Sequence, residues 1–450
     1  MPLPLSRILA ATATTVALAG AASAAPALAA SDPLLPDQWA LAEPHATGAE
    51  VAWTQSHGSG VVVALLDTGV QLDHPDLAGS LWKNPGEVVN GKDDDGNGFV
   101  DDVNGANMFT GDGNVADDEG HGTHVAGIVA ARAGNGVGGA GIAPGATIMP
   151  VKVLDSNRSG NSTVLARGIR YAIDMGARIL NVSINGDTTT PDLTAALKYA
   201  SDKGATVVAS AGNNSRNLDL TPSYPASSTE PSVLTVTATD QAGGLPDFAN
   251  RGLNSVDLAA PGDFILSTAR GSGYENRSGT SMSAPFVSGA LALLQAARPD
   301  MSEPALRGAL LATAPKPGLL AGLLGGGGGG GLDVGAAMHA ILPGAMWRSS
   351  PGGAVAAQTA SGSVRVRVGG RTRAGRRATV RWSASGVDGV TTWRILLDGH
   401  RVASRSVDDT PTLRRTIARA GKHRWKVVAY DAGANRIASG TRSFSVLRAR

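Results

Sequence analysis

The 450-residue sequence predicts an α/β protein with a mostly parallel central sheet, followed by a small all-β domain. From Val61 onward, short β-branched runs alternate with amphipathic stretches. Such alternation is typical of a parallel sheet with helices on both faces. After Pro343 the pattern changes to short alternating runs without helical periodicity. That pattern is typical of a β-sandwich of the immunoglobulin or fibronectin type.

The composition excludes several classes of protein. Apolar residues make up 42% of the chain and charged residues 17%, so a core can form and the chain is not largely disordered. The absence of Cys excludes disulfides, thiolate metal sites and a cysteine nucleophile. Residues 343–450 contain 19 Arg and 2 Lys against 5 Asp, whereas the preceding residues carry an excess of acids. We therefore predict two modules with different surfaces.

The N-terminus is typical of a secretory signal peptide. Arg7 precedes an apolar, Ala-rich run, and Ala27-Leu28-Ala29 fits an A-x-A cleavage site. The run is shorter than a membrane span requires, and no other stretch of the sequence fits one. We therefore expect residues 1–29 to be removed. The mature protein is then secreted and extracellular, without a membrane span, and cell-wall association is a further expectation.

The elements of the α/β domain follow in chain order. The runs at 61–66 and 205–209 predict buried strands, and apolar residues at helical spacing predict helices over 163–175 and 191–200. An apolar run over 284–297, opened by Pro285, predicts a buried helix. We place the α/β domain at 31–342, a linker at 343–376 and an Arg-rich β-sandwich at 377–450.

Three residue types with complementary chemistry occur at the ends of these elements. Asp67 closes the first strand, His121 opens an apolar helix, and Ser281 lies at the start of another. A serine hydroxyl becomes a nucleophile when a histidine removes its proton, and a carboxylate can hold that histidine in the required tautomer. Asn213, directly after the strand at 205–209, offers a side-chain amide to a developing oxyanion.

The order Asp, His, Ser and the sequences around these residues resemble the subtilisin-like serine proteases of the secreted bacterial type. The matching motifs are Asp-Thr-Gly at 67–69, His-Gly-Thr-His-Val-Ala-Gly at 121–127 and Gly-Thr-Ser-Met-Ser-Ala-Pro at 279–285. The resemblance covers about residues 31–341 and implies the three-layer subtilisin-like fold. It also implies a serine endopeptidase with a Ser281 acyl-enzyme, His121 as base and then acid, Asp67 as its orienting group, and Asn213 with the Ser281 amide as oxyanion hole.

The same resemblance implies where a protein or peptide substrate binds. Ser183, Ile184 and Asn185 match the edge strand that pairs with the substrate backbone. The opposite wall of the specificity pocket matches three small residues, Ser210, Ala211 and Gly212. Because the pocket is lined by small, uncharged residues, we expect an apolar or broad preference. Asn185 replaces the glycine usual in the family, and we expect its side chain to narrow the mouth of the pocket.

Calcium is the expected ion at two places. The resemblance implies a site formed by Asp32, Asp76 and Asn135, which come from three distant segments. The acidic run at 93–102 suggests a second site, with Asp93, Asp95, Asn97 and Asp101 as candidate ligands. This run has the opening of an EF-hand loop but lacks the final Glu, so a calcium-holding loop, a true EF-hand and a solvated acidic loop stay open as interpretations.

The sequence leaves alternative metal sites and functions to be weighed, and it suggests binding partners for the protein. A His121–His124 zinc pair lacks the H-E-x-x-H pattern and an obvious third ligand. A silent wall-binding protein and a serine esterase are the competing functions. Family members usually carry a prodomain, but because Asp32 matches the start of the mature enzyme, we expect none between the signal peptide and the α/β domain. We expect a monomer whose basic C-terminal module binds an anionic cell-wall or surface polymer, and no nucleic acid.

Overall fold

The computed structural model describes residues 32–42, 47–241, 243–314 and 330–343, together with strands of the C-terminal part. Those strands comprise residues 363–369, 372–373, 376–385, 392–397, 400–406, 412–417, 421–430 and 436–447. The predicted signal peptide, residues 1–29, lies outside the described residues.

A parallel sheet lies at the centre of the first part. The strands described there are β1 (Val62–Asp67), β2 (Ala106–Asn107), β3 (Thr147–Lys152), β4 (Ile179–Val182), β5 (Thr206–Ser210), β6 (Val233–Thr239), β7 (Leu258–Pro261), β8 (Ile265–Ala269), β9 (Gly273–Arg277) and β10 (Gly330–Gly331). Eight of them form one sheet in the order β10-β7-β6-β5-β4-β1-β3-β2. Every neighbouring pair in this sheet is parallel, and β8 and β9 form a separate antiparallel hairpin. The prediction of a mostly parallel sheet is confirmed.

Helices cover this sheet. Those described are α1 (Trp39–Ala42), α2 (Ala49–Ala52), α3 (His121–Ala130), α4 (Ser162–Asp174), α5 (Pro191–Asp202), α6 (Thr280–Ala297), α7 (Glu303–Thr313) and α8 (Val334–Ile341). The side chains of Asn161 and Thr190 cap α4 and α5 by accepting hydrogen bonds from backbone N–H groups of the first turn. Within the described residues, no helix combines the length and apolar character that a membrane crossing requires.

The helix predicted over 284–297 begins earlier, at Thr280. Pro285 therefore lies inside the helix, where it has no N–H to donate to the carbonyl of Ser281, four residues before it. The Ser183 hydroxyl donates to that carbonyl instead, at 2.9 Å. The hydrogen bond from Ser183 thus replaces the one that Pro285 cannot make, so the helix can start at Thr280. It also links the first turn of the helix to the segment that follows β4.

The two faces of the sheet carry separate cores. Along β1, Val63 and Leu65 belong to the core that includes side chains of α3, α6, α7 and α8. Ala64 and Leu66 point to the opposite face and belong to the core that includes side chains of α4 and α5. This alternation follows from the two-residue period of a strand and gives the predicted three layers.

The register of the parallel strands aligns their carboxyl ends. Leu66 pairs with Val182, and Val182 pairs with Ala209. The residues that follow these positions therefore lie side by side at one edge of the sheet, where open α/β sheets place their ligands. They are Asp67, Ser183 and Ser210.

The C-terminal part contains strands, among its described residues, and no helix. These strands are β11 (Ser363–Gly369), β12 (Thr372–Arg373), β13 (Arg376–Ser385), β14 (Thr392–Leu397), β15 (His400–Ser406), β16 (Thr412–Ile417), β17 (Gly421–Tyr430) and β18 (Arg436–Leu447). They form a three-stranded sheet, β11-β13-β16, and a five-stranded sheet, β12-β18-β17-β14-β15.

This strand region begins earlier than the sequence predicts. β11 and β12 lie within residues 343–376, which we expect from composition to be a linker, and β11 pairs antiparallel with β13. The Gly, Ser and Arg content suggests a linker. The strand is indicated instead by the alternation of Val364, Val366 and Val368 with arginines. Val366 is buried, as that alternation requires of one strand face.

Candidate active site

Asp67 and His121 form a direct hydrogen bond at the carboxyl edge of the sheet. His121 Nδ1 lies 2.7 Å from Asp67 Oδ1, and both side chains are buried. Asp67 Oδ1 also accepts from the N–H of Thr68 at 2.8 Å, which orients the carboxylate. His121 Nε2 has no hydrogen-bond partner among the described residues. The imidazole is therefore held at Nδ1 and available for a proton at Nε2.

A buried carboxylate that the sequence analysis did not name supports this pair. Asp117 accepts from the Thr68 hydroxyl at 2.8 Å and from the N–H of Thr123 at 2.9 Å. Burial raises the pKa of Asp117, but hydrogen bonds from Thr123, Gly120 and Thr68 outweigh it and bring the pKa below its ordinary value. Asp117 is therefore ionised at neutral pH and fixes the start of α3 against Thr68.

Gly122 lets α3 approach the end of β1. A Cβ atom at this position would lie 2.0 Å from the carbonyl oxygen of Gly69 and 3.2 Å from the Cβ of Asp67. The Gly122 N–H donates to the Thr68 hydroxyl at 2.9 Å. A larger residue would push the helix away from the strand, and the bond between His121 and Asp67 depends on their close approach.

Ser281 lies in the first turn of α6, facing the end of β4. Its hydroxyl is largely buried and donates to the carbonyl oxygen of Ser183 at 3.2 Å. No hydrogen bond joins it to His121 in the described part of the chain. The structure thus brings all three predicted residues to one edge of the sheet.

Asn213 lies next to the same helix start. Its Oδ1 accepts from the N–H of Thr280 at 2.8 Å and from the Thr280 hydroxyl at 3.1 Å. With the oxygen engaged, Nδ2 is the end of the amide that remains a donor. The Ser281 N–H belongs to the first turn of α6 and has no partner within the helix. Both donors are thus available beside Ser281.

A second residue absent from the sequence analysis, Asn250, holds the strand end that carries Asn213. It is fully buried and donates to the Ala211 carbonyl at 2.8 Å. Its Oδ1 accepts from the N–H groups of Asn214 at 3.0 Å and Arg216 at 2.8 Å. No local signal distinguishes Asn250, because the hydrogen-bond partners of its side chain are more than 30 residues away in sequence.

The residues predicted to contact substrate form two neighbouring segments. Ser183 and Ile184 continue from β4, while Ser210 ends β5 and Ala211 follows it. Ser210 Oγ is buried and has no partner among the described residues. A Cβ placed on Gly212 would lie 2.2 Å from Asn185 Nδ2. The exposed Asn185 side chain therefore reaches across from its own segment to the opposite one.

The predicted ligands Asp32, Asp76 and Asn135 also come together. Asn135 Nδ2 donates to Asp76 at 2.9 Å, and the Asn135 N–H donates to Asp32 at 3.1 Å. Asp76 is fully buried, and burial raises its pKa. Two carboxylates converging on one loop fit a calcium ion in the chemistry of their donors. The Asn135 oxygen accepts from the N–H of Val137, so this amide turns its nitrogen toward Asp76.

The acidic residues of the run at 93–102 fall into two groups according to the atoms that they contact. Asp93 accepts from the N–H groups of Gly96, Asn97 and Gly98, and Asp101 accepts from those of Asn90 and Gly91. These two predicted ligands close turns of the loop. Asn97 donates its amide to Asp95 and Asp102. Asp95 belongs to a cluster with Glu87 and Asp102, neither of which the sequence analysis named.

His124 takes no part in a metal-binding group within the described residues. Its Nε2 lies 3.1 Å from the carbonyl oxygen of Glu275. Burial lowers the pKa of His124 to about 3, so the ring stays neutral at neutral pH. Its position between α3 and β9 is that of a packed core histidine.

Comparison with known proteins identifies the family. Residues 58–335 match the Subtilase family. The chain is similar to thermitase from Thermoactinomyces vulgaris, with 41% identity over 61% of this chain and 88% of the relative. It is also similar to the major intracellular serine protease of Bacillus subtilis (strain 168), with 41% identity over 53% of this chain and 69% of the relative.

Two further comparisons agree. Subtilisin Savinase from Lederbergia lenta is 36% identical over 57% of this chain and 84% of the relative. A solved structure of proteases from Pseudoalteromonas arctica PAMC 21717 aligns with a TM-score of 0.56 and 28% identity, over 70% of this chain and all of that one. The chain therefore belongs to the subtilase family and is a subtilisin-like serine endopeptidase, a hydrolase that acts on peptide or protein substrates.

Proposed function

We propose that Ser281 is the nucleophile of this endopeptidase, His121 its base and Asp67 the group that orients the base. The observation that carries the proposal is the 2.7 Å bond between His121 Nδ1 and buried Asp67, while Nε2 has no hydrogen-bond partner among the described residues. Ser281 Oγ attacks the substrate carbonyl carbon while Nε2 takes its proton. His121 then gives this proton to the leaving amine, and water hydrolyses the acyl-enzyme by the reverse sequence.

The test uses an organofluorophosphonate, which reacts with activated serines and needs no knowledge of the substrate. We expect one equivalent to bind the chain covalently, and peptide mapping to place it on Ser281. Modification of another serine, or none in a folded chain that hydrolyses peptides, would contradict the assignment. Hydrolysis of esters without hydrolysis of peptides would instead favour an esterase.

We also propose that Asn213 Nδ2 and the Ser281 N–H stabilise the oxyanion. Asn213→Ala is expected to lower kcat by about 10²–10³, the loss that removing one such donor causes in subtilisin. KM should change little, because the donor acts where charge develops in the transition state. Steady-state kinetics on a peptide substrate give both values. Asn214→Ala is the matched control, and an equal effect of both changes would remove Asn213 from this role.

Asn185 is proposed to restrict the specificity pocket between residues 183–186 and 210–212. Since its amide reaches Gly212, we expect a preference for small residues before the scissile bond. Asn185→Gly should raise the ratio of kcat/KM for Phe over Ala at that position by more than about tenfold, since one or more methylenes in a pocket carry effects of this size. Asn254→Gly, an exposed site, is the control. An unchanged ratio in Asn185→Gly would show that the pocket is not limited there.

Calcium is the proposed structural ion at Asp32, Asp76 and Asn135. These residues join the N-terminal segment, the loop after β1 and the loop after α3, so an ion there would link three distant parts of the chain. Calcium bound there would supply cross-linking and no catalytic chemistry. Burial of Asp76 supports the proposal, because a divalent cation favours the ionised form that burial opposes.

The C-terminal strands are proposed to form an immunoglobulin- or fibronectin-like sandwich that holds a secreted, monomeric enzyme at an anionic cell-wall polymer. Support comes from the 21 basic residues against 5 acidic ones in residues 343–450. Attraction of this kind is screened by salt. Co-sedimentation of the full chain with wall material should therefore be strong at low salt and lost at high salt. Equal sedimentation at both would contradict the proposal.

A further inference from the structure

A buried lysine lies beside the candidate active site, and none of the proposed catalytic steps uses it. Lys152 ends β3 and is paired in register with Asp67, which ends β1. It is only 6% exposed. In the described part of the chain, the other lysines and arginines that form ion pairs have side chains at least 25% exposed. A lysine is rarely buried unless its ammonium group is paired, so the partners of Lys152 indicate its role.

The ammonium group of Lys152 has two partners. Its Nζ donates to the backbone carbonyl of Thr68 and to Asp118 Oδ1, the latter at 2.8 Å. Thr68 directly follows β1, and Asp118 lies three residues before His121, the first residue of α3. Lys152 therefore connects the segment that carries Asp67 with the segment that carries His121.

Thr68 links Lys152 to the proposed catalytic pair. Thr68 is fully buried, and its N–H donates to Asp67 Oδ1 at 2.8 Å. Its hydroxyl accepts from the Gly122 N–H, in the first turn of α3, at 2.9 Å. The donor that Lys152 supplies to the Thr68 carbonyl limits rotation of the Thr68 backbone. It therefore also limits movement of the N–H that orients Asp67 and of the hydroxyl that holds α3.

We propose that Lys152 is a positioning residue, which holds Asp67 and His121 at the separation that their hydrogen bond requires. This inference rests on the proposed function, because Lys152 acts through Asp67 and His121 and not on the substrate. Packing alone does not account for a lysine at this position. Replacing a buried charged side chain by an apolar one of similar volume is often neutral or stabilising.

The test compares the unaltered chain with Lys152→Met, which removes the ammonium group and keeps nearly the same side-chain length. Asp118 is half exposed, and the Arg270 side chain also donates to its backbone carbonyl, so we expect the fold to persist. The rate constant for modification of Ser281 by an organofluorophosphonate should fall at least about tenfold, because small displacements of catalytic groups cause losses of this size. The kcat for a peptide should fall equally, while KM changes little.

A double variant tests whether Lys152 acts as a bridge between its two partners. Asp118→Asn removes the charge that Lys152 contacts, and kcat should fall about two- to fivefold, the range expected for a partly exposed ion pair. Added to Lys152→Met, this change should cause no further loss, because both variants remove the same interaction. An unchanged kcat in Asp118→Asn, or a further loss in the double variant, would overturn the bridge.

The matched control is the exposed ion pair between Lys198 and Asp202 of α5, whose Nζ and Oδ1 atoms are also 2.8 Å apart. Lys198→Met and Asp202→Asn remove the same chemical groups and should leave the rate constant and kcat unchanged. All values are measured well below the melting temperature of each variant, where a purely structural role would leave kcat unchanged.

The outcomes separate this inference from the proposed function. Equal rate constants for Lys152→Met and Lys198→Met would overturn the role of Lys152 and leave the proposed triad intact. Absence of labelling at Ser281 in the unaltered chain would overturn the proposed function and this inference with it. If Lys152→Met did not fold, kcat of Asp118→Asn would be compared with kcat of Asp202→Asn, and equal values would overturn the inference.

Discussion

Ser281→Ala is expected to lower kcat for peptide hydrolysis by about 10⁶, the scale of removing the nucleophile of a subtilisin-like triad. The hydroxyl supplies the bond-forming oxygen, and no neighbouring group can replace it at the start of α6. Substrate binding should persist, because it depends on the segments at 183–186 and 210–212. The measurement is turnover of a chromogenic peptide, with an inhibition constant for a non-cleaved peptide as the readout of binding.

The control for this change is Ser283→Ala, two residues further along the same helix. Ser283 is buried, and its hydroxyl has no partner in the described part of the chain, so its loss removes no hydrogen bond. We expect Ser283→Ala to keep kcat within a factor of about three, as is usual where no hydrogen-bond partner is lost. Turnover by Ser281→Ala comparable to that of Ser283→Ala would exclude Ser281 as the nucleophile.

Asp67→Asn is expected to lower kcat by about 10⁴ at neutral pH while leaving the fold intact. The carboxylate accepts the Nδ1–H of His121, and an amide can present its NH₂ there and favour the wrong tautomer of the ring. The loss should appear mainly in kcat, because Asp67 is fully buried and acts through its hydrogen bond to His121. Steady-state kinetics at several pH values measure this effect.

Asp73→Asn makes the same chemical change on an exposed residue near β1 and serves as the control. Its kcat should match that of the unaltered chain. If Asp67→Asn retained kcat within tenfold of Asp73→Asn, the bond between Asp67 and His121 would have a structural role only. A melting temperature measured for both variants separates loss of the fold from loss of the orienting bond.

The predictable part of this protein is the part encoded by local patterns. Hydrophobic runs and periodicities predict the parallel sheet and the helices on its faces, because strand and helix periods follow from backbone geometry. The motifs around Asp67, His121 and Ser281 predict the protease family, since each combines a reactive side chain with the glycines and small residues that its turn requires.

Local sequence patterns do not predict hydrogen bonds to residues that are distant in sequence. They also do not predict a side chain that replaces a backbone donor. The start of α6 at Thr280, four residues before the predicted start, depends on Ser183 occupying the carbonyl that Pro285 leaves free. Asp117 and Asn250 support the candidate site through bonds to segments far along the chain. Likewise, the composition of residues 343–376 predicts a linker, although β11 lies within them.

The sequence by itself determined the order of the elements, the protease family and the chemical types of the reactive groups. Only the tertiary structure decided which polar side chains come into contact. It places Asn185 against Gly212 and joins Glu87 to Asp95 and Asp102, while Asp93 and Asp101 are directed to backbone N–H groups. The physical reason is that side-chain oxygens act over a few ångströms, and such distances are set by packing of the whole chain rather than by spacing along it.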